Sequence, residues 1–158
     1  MIAVFNSSPW IFLSKLGFLR QALELFDRVL LPSSVKEEIS TRKDEAYEAL
    51  QEVQGVEQIE IVTTSNVRFV AGLRRRLGKG EAEAIVIALE KNADIVVLDD
   101  HTARSEARRL GLQVKGTLGI IRRMMELGIA DIEVNELYER LRKMGFRIKK
   151  DLFWEIFK

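Results

Sequence analysis

The chain has 158 residues, 47% of them hydrophobic, which suffices for one domain with a full core and falls short of two comfortable ones. Cysteine is absent and His101 is the only histidine, which excludes disulfides, thiolate nucleophiles, zinc-thiolate sites and multi-histidine metal sites. The net charge of +1 argues against a uniformly basic or acidic protein, so any polyanion must be met by one face only.

Ile2 to Phe5 is a continuous apolar run, as expected of a strand buried on both faces, and it begins where a charged leader would otherwise stand. With no apolar run near the roughly 20 residues that span a bilayer, the chain reads as soluble and cytoplasmic, without a membrane partner. Asn6-Ser7-Ser8-Pro9 stops the strand, and Ser8 followed by Pro9 predicts a helix over Trp10 to Lys15. That leaves Asn6 at the carboxyl end of the first strand, the edge where open parallel sheets bind ligands. Phe18 to Phe26 is helical, Arg28 to Leu31 is a second strand ended by Pro32, and Ser33 or Ser34 caps a helix carrying Val35 and Ile39 on its buried face. Glu38 lies near that face.

Lys43 to Val53 has helical spacing of Ala46, Leu50 and Val53, and Val56 to Val62 alternates as an edge strand. Thr63 to Asn66 caps a helix predicted to run to about Leu77. The segment Gly72 to Gly80 has five residues between Gly72 and Gly78 where a phosphate-binding loop wants four, and Gly80 follows Lys79 where a hydroxyl is needed. A nucleotide-triphosphate loop is therefore rejected.

The chemistry gathers in the next stretch. Gly78-Lys79-Gly80-Glu81-Ala82-Glu83 opens a helix too apolar for the surface, and the strand Ile95 to Leu98 ends on Asp99-Asp100. A buried carboxylate is costly unless paired or bound to a metal, and the position one turn after Glu83 is Ile87. A hard cation is the simplest partner for such a cluster. The plainer alternative is that Glu81 and Glu83 serve the helix start, where the dipole favours acids and free N–H groups need acceptors. Beyond this stretch the pattern predicts a helix over Thr102 to Leu110, a short strand Gly111 to Val114, a helix Ile120 to Leu127, and two closing helices, Glu133 to Met144 and Lys149 to Phe157. Strands alternating with helices argue for α/β, a parallel sheet of four to five strands with helices on both faces.

Cations cluster at Arg74-Arg75-Arg76 with Lys79, at Arg104 with Arg108-Arg109, at Arg122-Arg123, and from Arg140 to Lys150. They suit either a polyanionic ligand met at one face or ordinary solvated helix faces.

Asn6-Ser7-Ser8-Pro9, Pro32 through Glu38, Gly80 through Ile85, Leu98 through Arg104 and Gly116 through Gly119, in that order, resemble a PIN domain, and among these the VapC-like toxin-type ribonuclease subgroup. The resemblance runs over nearly the whole chain, 1–158, with the segment from about 133 to 158 packed on the rest. It implies a three-layer α/β/α fold and an acidic pocket holding magnesium or manganese for cleaving RNA. By position it makes Glu38, Glu83 and Asp100, with Asp99, the catalytic acids, and Asn6, Glu38, Glu81, Glu83, Asp99 and Asp100 the metal set. Ser7, Arg74, Arg75, Arg76, Lys79, His101 and Arg104 are the expected RNA contacts, and an antitoxin and a homodimer are the expected protein partners. Asn6 departs from the pattern, standing where the family has its first acid: it offers a carbonyl oxygen but no charge. A PIN-fold RNA-binding module that has lost catalysis through Asn6 is the competing expectation. A phosphoryl-accepting domain lacks an acceptor aspartate, since the second strand ends in Leu31-Pro32.

Overall fold

The computed structural model describes residues 1–158. Five strands form one parallel sheet: β1 (Ile2–Phe5), β2 (Arg28–Pro32), β3 (Ile59–Val62), β4 (Ile95–Val97) and β5 (Val114–Lys115). Their order across the sheet is β3-β2-β1-β4-β5. Ala3 pairs with Val29 on one side and with Ile95 on the other, so β1 is the centre of the sheet. The chain builds outward from β1 through β2 to β3 and then crosses to the far side of β1 for β4. The order therefore reverses between β1 and β4, the position at which such sheets open a crevice beyond their carboxyl ends.

Apolar runs form these strands because helices cover both faces. Ala3, Phe5, Val29, Leu31, Ile95 and Val97 point to one face and Val4, Leu30, Val62, Val96 and Leu98 to the other, in the alternation that the pleat imposes. The first face carries α1 (Ser7–Leu16), α2 (Leu19–Leu23), α3 (Ser33–Ser40), α4 (Glu45–Val53), α8 (Thr117–Glu126), α9 (Val134–Lys143) and α10 (Lys150–Ile156). The second carries α5 (Val67–Leu73), α6 (Lys79–Glu90) and α7 (His101–Arg109). This is the expected three-layer α/β/α arrangement. Helix α6 packs on β1, β2 and β4 together, which explains why Ala82 and every residue from Ala84 to Ala88 are buried. The closing segment joins the first face through buried Leu137, Leu141 and Phe153, and the Phe146 ring meets Phe12 edge-on with 4.9 Å between centroids.

Several boundaries differ from the sequence expectation by a few residues, and three of the differences have identifiable reasons. Helix α1 begins at Ser7 with Asn6 as its cap, so Pro9 is the third helical residue and not the first. Proline is tolerated there because the first-turn N–H groups have no partner within the helix in any case. Helix α5 ends at Leu73 rather than near Leu77, although Leu77 stays buried and so extended the apolar period beyond the helix. The last strand is Val114–Lys115, displaced from Gly111 to Val114, because Gly111 adopts a left-handed conformation (φ 89°) that ends α7 and turns the chain.

Candidate active site

Two clefts lie along the carboxyl edge of the sheet. The smaller, about 440 Å³, is lined by Asn6 and Ser7 after β1, Ser34, Glu37, Glu38 and Thr41 from α3, and Gly78 through Glu81 at the start of α6. It has no apolar lining residue.

Asn6 enters this cleft from the end of β1, held by a backbone N–H bond to the Val97 carbonyl (3.1 Å) that extends the β1–β4 ladder by one residue. It is 6% exposed, and its Oδ1 is buried without a hydrogen-bond donor. An asparagine cap ordinarily accepts from the second or third helical N–H. Here the third residue is Pro9, which has none, and the side chain makes no capping bond. The oxygen is left for the cleft.

Gly80 faces Asn6 across a short gap. A side chain there would begin 3.1 Å from Asn6 Oδ1, 3.2 Å from Val35 Cγ2 and 3.7 Å from Glu38 Oε2. Only a residue without Cβ leaves this space open between the amide and the carboxylate. Glu81 follows. Its Oε1 accepts the Gly78 N–H (3.2 Å), closing the capping bond expected at a helix start, while its Oε2 is buried with no donor. Burial pushes its carboxyl above the usual glutamate range, the Gly78 bond opposes this, and the charges of Asp100 and Glu38 add to it. The helix-start reading of Glu81 therefore holds for Oε1, while Oε2 is left facing the cleft without a donor.

The other acids are differently engaged. Glu83 Oε2 accepts from Ser34 Oγ (2.5 Å), so it sits behind the cleft wall rather than in the lining. Asp99 accepts from Ser8 Oγ (2.8 Å), Thr117 N–H (2.7 Å) and Thr117 Oγ1 (2.6 Å), fastening the starts of α1 and α8 to the end of β4. Asp100 caps α7 through the Ala103 N–H (2.9 Å). No three of the acids are grouped as ligands. Like charges repel one another, and Glu81, Glu83, Asp99 and Asp100 each accept from a local donor instead. What does gather round Gly80 is Asn6 Oδ1 and the Glu38 carboxylate, beside Glu81, whose Oε2 has no donor. Oxygen acceptors lacking donors fit a hard divalent cation, which takes oxygen ligands and keeps several waters.

The larger cleft, about 1000 Å³, lies beside the first between α7, β5, α8 and the segment from Phe146 to Ile156. Asp99, His101 and Arg104 line it at one end. Of the expected RNA contacts, Ser7 and Lys79 fall in the small cleft and His101 and Arg104 in the large one, whereas Arg74, Arg75 and Arg76 line neither. These three are exposed, and Arg76 lies 3.9 Å from Glu106. Sequence reasoning did not single out Lys115 or Phe146, and it named Arg147 and Lys149 only within the basic run from Arg140 to Lys150, which the fold brings opposite α7.

A family model described as a PIN domain matches residues 2–158. No curated protein matches the chain.

Proposed function

The chain belongs to the PIN-domain family, and from that membership we propose that it is a metal-dependent endoribonuclease. The observation that carries this reading is the group of oxygen acceptors around Gly80 at the reversal point of the sheet, two of them buried without donors. Asn6, Glu38 and Glu81 are the residues that would hold magnesium or manganese, with Asp100 contributing charge. When bound, the ion supplies a water of lowered pKa and neutralises charge developing on the phosphate.

The chain's own residues do the rest. Asp99 keeps the β4 end, α1 and α8 in register, so the two clefts stay fixed relative to each other. Ser34 orients Glu83 and thereby the start of α6 against α3. Lys79, exposed at the rim of the acid cleft, attracts phosphate toward carboxylates that would otherwise repel it. No side chain needs to form a covalent intermediate, which suits a protein with no cysteine.

The finer reading is the toxin half of a toxin–antitoxin pair, acting as a homodimer. An adjacent reading frame for a small DNA-binding protein would support it. The competing reading, an RNA-binding module without catalysis, draws on the neutral charge of Asn6 alone. Calorimetry with manganese and cleavage of single-stranded RNA decide between them. Metal binding with manganese-dependent cleavage, lost in Glu81→Gln and Asp100→Asn, is expected; no binding at millimolar metal and no cleavage would sink the enzyme reading.

A further inference from the structure

Five cations that line the larger cleft have no ionic partner: Arg104, Arg108, Lys115, Arg147 and Lys149. Arg122 and Arg123 differ, since both reach Glu126, at 3.1 and 3.5 Å. Arg104 is the most telling, because its Nε is buried and has no acceptor, a loss that a protein seldom tolerates without a ligand group. The same cleft has apolar lining from Leu118, Phe146, Ile148, Leu152 and Ile156, and Leu152 is 54% exposed. Phe146 is fixed by its edge contact with Phe12.

Unpaired cations along an apolar lining match one ligand chemistry best. A nucleic-acid duplex presents phosphates and hides its base faces, so it would use the cations and leave the apolar surface wet. A single strand presents both, and bases rest on apolar or aromatic side chains while phosphates follow a basic track. The position agrees. Asp99 lines this cleft and accepts from Ser8, the neighbour of Ser7 in the acid cleft, so the groove opens beside the carboxylates.

We infer that the groove between α7–α8 and the segment from Phe146 to Ile156 holds a single-stranded nucleic acid, with phosphates on the five unpaired cations and bases against the apolar lining. The closing segment is thus one wall of a binding groove as well as part of the fold. The existence of the groove is independent of catalysis, and only its role in feeding the acid cleft rests on the nuclease reading.

The test is fluorescence anisotropy of a labelled single-stranded oligodeoxynucleotide in chelator, where nothing turns over. The triple variant Arg108→Ala/Arg147→Ala/Lys149→Ala removes three exposed cations that make no hydrogen bond, and thermal melting checks its fold. It is expected to bind about tenfold or more weakly at low salt, with the log–log salt slope flattened by about 2, since each phosphate contact on a single strand contributes about 0.7. The comparison variant Arg74→Ala/Arg75→Ala/Arg76→Ala should bind within about twofold of the wild type, and a duplex of the same sequence should bind more weakly than the strand. Unchanged binding and slope in the cleft variant, equal loss in the comparison variant, or a duplex bound as well as the strand would each overturn the inference. So would a cleft variant that keeps the strand but loses a poly-glutamate peptide, since the cleft would then be a protein-docking surface. Because binding is read without metal, failure of the groove and failure of manganese-dependent cleavage are separate results.

Discussion

Asn6 Oδ1 lies 3.1 Å from the point at which a side chain on Gly80 would begin. Gly80→Ala should therefore separate helix stability from site function. Alanine at a helical position is worth about 0.5–1 kcal/mol over glycine, but here the methyl must push Asn6 and Val35 aside by a few tenths of an ångström. The two effects oppose each other, so melting temperature should move by only a few degrees. Manganese affinity should fall about tenfold, a loss of about 1.4 kcal/mol, because the methyl occupies the space between the amide and Glu38. Calorimetry showing unchanged affinity in a folded variant would place the cation elsewhere.

Glu81 gives a pH signature in the absence of metal. An unfolded glutamate titrates near 4.5, and burial raises the native value above this. Between the two values the native state keeps a proton that the unfolded chain has released, so stability falls as pH rises through that window and stays reduced above it. Glu81→Gln keeps an acceptor for the Gly78 N–H and removes the ionisation. In chelator it should match the wild type below about pH 4.5 and be the more stable protein at pH 7. Melting curves that stay parallel from pH 4 to 8 would show that Glu81 is not desolvated.

Much of this arrangement is legible in the sequence, and the limits are physical. Continuous apolar runs such as Ile2 to Phe5 mark strands covered on both faces, and parallel sheets follow from their alternation with helices. Which helical acid faces the cleft is not legible. Glu81 and Glu83 are two residues apart, about 200° around the helix axis at 3.6 residues per turn, so they cannot face the same point. Positional resemblance selects Glu83, whereas the geometry puts Glu83 against Ser34 and places Glu81 in the cleft lining with Glu38. The basic groove is hidden for a different reason. Arg104 and Arg108 are one turn apart on α7 and could be paired from sequence, but Arg147 and Lys149 reach them only because the closing segment packs back on the sheet.

Asp99 illustrates an acid whose oxygens are already occupied. Three donors converge on it, two of them from Thr117, which is fully buried. Asp99→Asn would turn an amide NH₂ toward these donors and leave at least one unpaired, at a cost of about 1–3 kcal/mol. For a chain of this size that is a loss of several degrees in melting temperature, at about 2–4 °C per kcal/mol. Glu38→Gln, at an exposed position, should melt with the wild type. Should Asp99→Asn melt normally and still lose cleavage, its role would lie with the substrate instead.

Asn6 is the position where adding a charge tests the whole site. The residue is 6% exposed and lies near Glu38 and Glu81. Asn6→Asp introduces a carboxylate among like charges in a place where water cannot fully solvate it. In chelator at neutral pH the variant should melt several degrees below the wild type, because the unfolded chain escapes that repulsion. With metal the sign reverses. A carboxylate gives a divalent ion both an oxygen and a charge, so manganese should bind about tenfold more tightly, worth about 1.4 kcal/mol, and cleavage at limiting magnesium should rise. Saturating metal stabilises only the native state, by about 2.7 kcal/mol at one hundred times the dissociation constant, so the deficit seen in chelator should close or invert. Melting temperatures of both proteins with and without manganese give four numbers, and the expected pattern is a crossing. If Asn6→Asp is as stable as the wild type in chelator and gains no more from manganese, then Asn6 Oδ1 does not face the cation.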